Sequence, residues 1–201
     1  MPVTINGNGS ISGLSVGGLP NGTVDADTLA TNSVTSTKIA TGAIGSVGKI
    51  LQVKSASKVD LFQVPGNANG ATDVPGLSVT MDAPASSSSK YLIFANVPVM
   101  GSNYGGGIRL NGTTNGVLLQ PTSYGSRTPV SGAEAYQSNN QKNHVDALCF
   151  LDSPSTSNAQ TYKVQVVTAG ATIKINRLNV DTDSSSYSRG CATLTVMEVA
   201  A

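Results

Sequence analysis

Large apolar residues recur every five positions in the first part of the chain, set among Gly, Ser, Thr and Asn. A period of five differs from the roughly 3.6 of an α-helix and the roughly 2 of a β-strand, so no single amphipathic element explains it. Each repeat fits one helical turn opened by an Asp or Thr cap, and such a turn is unstable alone. The members of the series are Leu14, Leu19, Val24, Leu29, Val34, Ile39 and Ile44.

This spacing predicts an extended stalk. A line of apolar residues on a rod has no core of its own, but it can be buried against copies of the same chain. A disordered polar leader is the alternative interpretation. Such a leader would not hold seven apolar residues in register, so we favour an ordered trimeric stalk.

After about residue 48 the pattern changes to short β-branched or alternating runs, which indicate strands. Turn residues such as Pro75-Gly76 and Asn111-Gly112 separate the runs. The segment 131–143 is the one helical competitor, and Ser138-Asn139-Asn140 is poor helix material, so we expect a loop there. We expect an all-β, jelly-roll-like sandwich. The predicted strands are 49–54, 59–64, 77–81, 91–99, 108–110, 117–119, 146–151, 162–168, 172–176 and 192–199.

Composition and charge exclude several classes of function. Charged residues make up 11% of the chain, against about 25% in an ordinary soluble domain, and the net charge is +1. Nucleic-acid and anionic-lipid binding need clustered Lys and Arg. The chain has two Glu and one His, so few side chains are suited to acid, base or metal chemistry. We expect no enzyme, no cofactor, no metal, no nucleic acid and no membrane insertion.

Isolated polar motifs have ordinary structural interpretations. Lone His144 predicts a strand-edge histidine that makes a hydrogen bond, and the run 181–184 predicts an Asp-rich turn in preference to a Ca²⁺ loop. Cys149 and Cys191 lie in apolar runs, so we expect buried free thiols, with a disulfide as the alternative.

The aromatic residues divide between strands and loops. Phe62, Phe94 and Phe150 fall in predicted strands and are expected in the core. A loop Tyr presents a flat ring with a polar tip, which suits contact with a sugar or a protein, and nearby Arg adds hydrogen bonds. The candidate receptor-binding residues are therefore Tyr104, Arg109, Tyr124, Arg127 and Tyr136.

Several segments carry a resemblance to a known class of protein. They are the opening 11–24, the repeat ending at 37–42, Gly48-Lys49-Ile50-Leu51-Gln52-Val53, the run 150–155 and the ending 187–199. Together they resemble tail-fibre and other virion fibre proteins of marine and cyanobacterial tailed bacteriophages. The resemblance implies a homotrimer on the virion surface, with an N-terminal attachment segment and a C-terminal β-rich knob.

The predicted organisation is a virion attachment segment (1–20), a trimeric repeat stalk (21–47) and a β-sandwich knob (48–201). We expect a non-enzymatic tail fibre that contacts other virion proteins through its N-terminus and a host-surface glycan or protein through its knob. The alternative is a capsid decoration or head fibre anchored to the shell. A polysaccharide depolymerase would need paired carboxylates in a groove, and Glu134 and Glu198 are the only glutamates.

Overall fold

Short β-branched runs become strands throughout the part of the chain that the computed structural model describes. It describes residues 4–5, 11–12, 29–31, 33–35, 39, 49–66, 70–102, 105–122, 125–126, 128–133 and 144–201, with no α-helix among them. The strands, in chain order, are β1 (Thr4–Ile5), β2 (Ile11–Ser12), β3 (Ile50–Lys58), β4 (Phe62–Val64), β5 (Gly70–Thr80), β6 (Lys90–Gly101), β7 (Gly106–Gly112), β8 (Gly116–Leu118), β9 (Gly132–Ala133), β10 (His144–Asp152), β11 (Thr161–Thr168), β12 (Ile173–Ile175) and β13 (Ala192–Val199). The all-β prediction is confirmed.

The chain divides into two units, residues 1–45 and residues 46–201. In the first unit β1 and β2 form an antiparallel pair. Of the seven apolar positions in the five-residue series, Leu29 and Val34 are exposed and Ile39 is half-buried. The other four, Leu14, Leu19, Val24 and Ile44, lie outside the described residues.

The second unit consists of two antiparallel sheets. In the six-stranded sheet, β10 pairs with one edge of β6, while β13 and β12 follow one another along the opposite edge. Strand β3 then pairs with β13, and β4 pairs with β12. The five-stranded sheet has the order β5-β11-β7, with β8 and β9 both pairing with the outer edge of β7.

The inward-facing residues of both sheets form one hydrophobic core. Alternation places every second side chain of a strand on the same face, so each strand contributes residues at a spacing of two. Burying a Val, Leu or Ile side chain fully contributes about 1.5–3 kcal/mol, which makes this layer the main source of stability. Fully buried members include Ile93, Ile108, Leu110, Tyr162, Ile173, Ile175 and Leu194.

The expectation of a core position is wrong for Phe94. Tyr91, Ile93 and Ala95 are buried in β6, so the residues between them point to the opposite face, and Phe94 is 38% exposed. Phe62 and Phe150 are partly buried and pack against the core.

The two cysteines are free, but the prediction that they are buried is wrong, because both are exposed. In β10 the inward positions are occupied by Leu148 and Phe150, and Cys149 between them faces outward. Cys191 precedes the first buried residue of β13, Ala192.

A turn was expected at Pro75-Gly76, but both residues lie inside β5. Strand β11 pairs Gln165 with Asp73 and Lys163 with Ser78, so β5 carries several extra residues at this point and forms a bulge. Gly76 has a φ of +83°, which suits glycine. Among the described strands, β5 pairs with β11 alone and so lies at the edge of its sheet. A Pro is tolerated at a bulge of an edge strand.

The strand predicted over 59–64 is confirmed only for its last three residues, which form β4. Residues 59–61 connect β3 to β4, with Val59 exposed. Asn176, which has a φ of +63°, holds this connection through its side chain. Its Nδ2 donates to the carbonyl oxygens of Lys58 at 2.6 Å and Asp60 at 3.1 Å. A partner 118 positions away along the chain cannot be seen in a local pattern.

Candidate functional site

An open groove of about 970 Å³ lies between the five-stranded sheet and β10. One wall comes from the chain that follows β8 and precedes β9, and the other comes from the middle of β10. The lining is mainly apolar, with one amide and one hydroxyl, as is typical of sites that bind small ligands or peptide segments. The lining residues are Leu119, Gln120, Pro121, Val130, Ser131, Ala147, Leu148, Cys149 and Phe150.

Ser131 fixes the first wall to the sheet. Its amide donates to the carbonyl of Ile108 at 2.9 Å, and its hydroxyl donates to the carbonyl of Leu118 at 2.9 Å. The same hydroxyl accepts a bond from the amide of Leu110 at 3.0 Å. Leu119 has a φ of +49°, in the left-handed region that leucine rarely occupies. Ser131 therefore ties this wall to the sheet through three hydrogen bonds with backbone groups.

The predicted receptor-binding residues fall mostly outside the described part of the chain. This applies to Tyr104, Tyr124, Arg127 and Tyr136. Tyr124 and Arg127 belong to the segment that connects the groove residues Pro121 and Val130. Arg109 is described, and it lies in β7 away from the groove lining.

Arg109 belongs to a polar surface on the outer face of the five-stranded sheet. Its neighbour across the strands is Gln165, which is paired in turn with Asp73. Lys163 Nζ lies 2.8 Å from Asp73 Oδ2, and Gln165 Nε2 donates to Asp73 Oδ1 at 2.7 Å. These two bonds, that of Lys163 first, lower the pKa of Asp73. The Nε of Arg109 is buried and has no hydrogen-bond partner among the described residues.

A buried polar cluster fills one end of the core. Tyr162 donates from its hydroxyl to Asp152 Oδ2 at 2.8 Å, and Asn115 Nδ2 donates to Asp152 Oδ1 at 2.7 Å. The ring of Tyr91 lies 5.4 Å from that of Tyr162, centroid to centroid. Burial, followed by the charges of Glu198 and Asp152, raises the pKa of Tyr91 to about 12. Burial likewise raises the pKa of Tyr162, and the hydrogen bond to Asp152 adds to this.

Glu198 is a second buried carboxylate at this end. It accepts hydrogen bonds from Gln52 Nε2 at 2.5 Å and from the amide of Ala85 at 2.8 Å. Burial alone would raise the pKa of Glu198, but these hydrogen bonds outweigh it and the pKa is lowered. Asp152 is only 3% exposed and Glu198 only 1%, so neither carboxylate reaches the surface where it could contact a polymer. The cluster therefore acts as a structural network.

The buried polar cluster was not predicted from the sequence. Glu198 follows Leu194 and Val196 at a spacing of two, so alternation places it inward. That spacing was available from the sequence. The positions of Gln52 and of the Ala85 amide beside Glu198 depend on distant strand pairings, so they could not be predicted from the sequence.

Replacing Glu198 by Gln tests the contribution of the carboxylate charge. Because folding lowers the pKa of Glu198, its stabilising effect is complete above its unfolded-state pKa and is lost as pH falls through the folded pKa. Urea unfolding of wild type should show a falling free energy of unfolding from pH 6 to pH 3. In Glu198→Gln this slope should be shallower, with a loss of about 1–3 kcal/mol at pH 7.

Asp73→Asn is the matched control, since that carboxylate is also hydrogen-bonded but is exposed. Solvent screening makes such a surface ion pair worth about 0–1 kcal/mol, so its effect should be smaller. Equal pH slopes in wild type and Glu198→Gln would contradict the assigned role of Glu198.

Two motifs from the sequence have clear partners. His144 Nε2 lies 3.1 Å from Asp146 Oδ1 at the start of the edge strand β10, which confirms the interpretation of His144. Asp181 is held by Arg189, whose Nη2 lies 3.0 Å from Asp181 Oδ2. Among the described residues no group of three or more His, Cys, Asp or Glu could hold a metal ion. The same residues include no helix with the length and apolar character to cross a membrane.

No protein-family model matches the chain, and no curated protein matches it significantly.

Proposed function

We propose that this chain is a non-enzymatic virion fibre protein of a tailed bacteriophage. In this proposal it is a trimeric tail fibre on the virion surface. Residues 1–20 attach it to other virion proteins, residues 21–47 form the threefold stalk, and residues 48–201 form a jelly-roll-like knob that contacts a glycan or protein on the host surface.

The observation that carries the proposal is the five-residue apolar series directly before an all-β unit. Leu29 and Val34 in this series are exposed in the single chain, so their own chain does not cover them. Burial of such residues requires a neighbouring molecule. A thin assembled shaft joined to a β-rich head domain is the architecture that a fibre needs to hold a binding surface away from the particle.

The groove supports the assignment of binding to the knob. Its walls are fixed by Ser131 and by the ladder of β10. Tyr124 and Arg127 lie in the sequence between the groove residues Pro121 and Val130. Binding residues are commonly carried on loops that a rigid scaffold positions. Tyr and Arg are also the residue types that most often dominate binding energy at interfaces.

Electron microscopy of the virion tests the location of the chain. Gold-labelled antibody raised against residues 49–201 is expected to mark the tail. Labelling of the head would contradict the tail-fibre proposal and favour a capsid decoration or head fibre anchored through its N-terminus. Absence of label from intact particles that contain the protein by mass spectrometry would contradict a surface location.

Replacing Tyr124 and Arg127 by Ala tests the binding role of the groove segment. The fluorescently labelled protein should bind cells of the bacterium that the phage infects. The double variant should bind at least about tenfold more weakly, since Tyr and Arg are enriched among the interface residues whose truncation costs about 2 kcal/mol or more. Ser78→Ala, an exposed position on the edge strand β5, is the control and should bind like wild type. Undiminished binding of the double variant would remove these residues from the site.

A further inference from the structure

The outer face of the six-stranded sheet carries no charged side chain in its centre. We define the uncharged face as residues 92, 94 and 96 of β6 together with the residues paired with them in β10, β13 and β3. Paired residues project from the same side of a sheet, so these side chains form three rows across four strands. Each position is Leu, Val, Met, Phe, Ala, Cys, Ser, Thr or Asn.

One row of the uncharged face is apolar across all four strands. It runs from Leu151 through Leu92 and Met197 to Val53. Val53 is 54% exposed and Leu151 is 48% exposed, and Phe94 in the next row is 38% exposed. Four strands at about 4.8 Å spacing and three rows span roughly 20 Å by 20 Å, or about 400 Å². Seven of the twelve positions are apolar or Cys and five are Ser, Thr or Asn, so the apolar part covers about 230 Å² of this area, next to a hydroxyl-rich part.

The outer face of the five-stranded sheet has the opposite character. Asp73, Lys163 and Arg109 lie on it, and the first two form an ion pair of 2.8 Å. Both faces belong to the same unit and flank the same core. Such a contrast is typical of a protein with one face in water and another in contact with a second surface.

The chemistry of the face fits another copy of this chain. Around a threefold axis each residue meets its own equivalents, where like charges would repel, and the face has no charge. Exposed Lys90, which precedes the apolar row in β6, supplies a charge at the rim. A stable interface buries about 800 Å² per partner and has an apolar centre with a polar rim. The uncharged face therefore has the size and composition of the centre of such an interface.

The position of the face in the chain also favours self-association. Residues 45–49 alone separate Ile44, the last apolar residue of the five-residue series, from Ile50, the first residue of β3. Copies joined through the series would hold their β3 strands close together. A short tether raises the effective concentration of the second contact to the millimolar range, so even a modest interface would form.

We propose that the uncharged face is a contact between copies of this chain, with Phe94 and the row from Leu151 to Val53 at its centre. The proposal rests on the trimer of the proposed function and deepens it, because it assigns to the knob a second assembly surface beyond the stalk.

Cys149 provides a direct probe, since it is exposed in the single chain and paired with Phe94 in the middle row of the face. It lies on the edge strand β10, where the face borders the groove. In full-length Cys191→Ser protein it is the only thiol. Sedimentation velocity should show an oligomer, and Cys149 should react with N-ethylmaleimide at least about tenfold more slowly than in the urea-unfolded chain. Adding Val53→Glu and Leu151→Glu should restore fast labelling.

Ser78→Glu with Ala71→Glu is the matched control, because it adds the same two charges at exposed positions of the edge strand β5. It should leave both sedimentation and labelling unchanged, and circular dichroism should show the same β signal in all variants. If the protein is an oligomer and Cys149 still reacts fast, the uncharged face is not an interface between copies, while the fibre proposal stands. A wild-type monomer at micromolar concentration would overturn both the interface and the trimer.

Discussion

Leu194→Ala is expected to lower the free energy of unfolding of the 46–201 unit by about 4 kcal/mol, near the upper end of the range for such substitutions. Leu194 is fully buried in β13, in the middle of the six-stranded sheet. Its partners across the strands are Ala95 in β6 and Ala56 in β3. The leucine therefore stands between two small residues and fills the space above both.

Truncation would leave three adjacent alanines in this row, and the cavity could not be closed by its neighbours. The cost of a large-to-small change grows with the volume that stays empty, so this site should be more sensitive than one flanked by long side chains. Urea unfolding followed by circular dichroism measures the effect.

Leu194→Met is the matched control. It conserves volume and should cost less than about 1.5 kcal/mol. A loss below about 2 kcal/mol for Leu194→Ala would show that the neighbouring side chains relax into the space, which would contradict the expectation that the cavity stays open.

Gly105→Ala is expected to destabilise the protein by about 3 kcal/mol or more. Gly105 has a φ of +101°, which alone costs a non-glycine residue about 1–3 kcal/mol. A Cβ at this position would also lie 2.4 Å from the carbonyl oxygen of Ala169. The amide of Ala169 donates to the carbonyl of Gly105 at 3.2 Å, so the two backbones cannot separate without loss of that bond.

Gly116→Ala separates the two causes. Gly116 has a φ of +65°, but a Cβ there would meet nothing within 4 Å. Its substitution should cost only about 1 kcal/mol. If Gly105→Ala is no more harmful than Gly116→Ala in thermal unfolding, the close approach of Ala169 does not limit the connection between β6 and β7.

Every predicted strand overlaps an observed one, because alternation and turn residues are local signals of strands. One error arose where a distant element decides the structure, and another arose where residue type was used in place of alternation. Pro75-Gly76 is a turn signal locally, but pairing with β11 draws it into a bulged strand. Phe94 looks like a core residue by type, yet its position relative to Ile93 and Ala95 places it outside. The prediction for Phe94 used residue type alone, and the alternation of buried positions in β6 would have placed it on the outer face.

The candidate site was less predictable than the fold. Arg109, the one candidate receptor-binding residue that the structure describes, lies in β7 away from the groove lining. The groove itself joins residues about thirty positions apart, Leu119 and Cys149, which only the sheet arrangement brings together. The buried cluster was missed because the two glutamates were considered only as possible catalytic groups. Glu198 serves instead to organise the end of the core, through a hydrogen bond from Gln52, 146 positions away.

The bulge in β5 also limits how copies of this chain can polymerise. An unprotected edge strand invites another chain to continue the ladder, which leads to open-ended aggregates. In β5, Pro75 lacks an amide hydrogen and the bulge at Gly76 interrupts the row of bonding groups. Growth of the sheet from this edge is therefore blocked. Molecules that associate through sheet faces rather than edges can form an assembly that closes and stops growing at a fixed size.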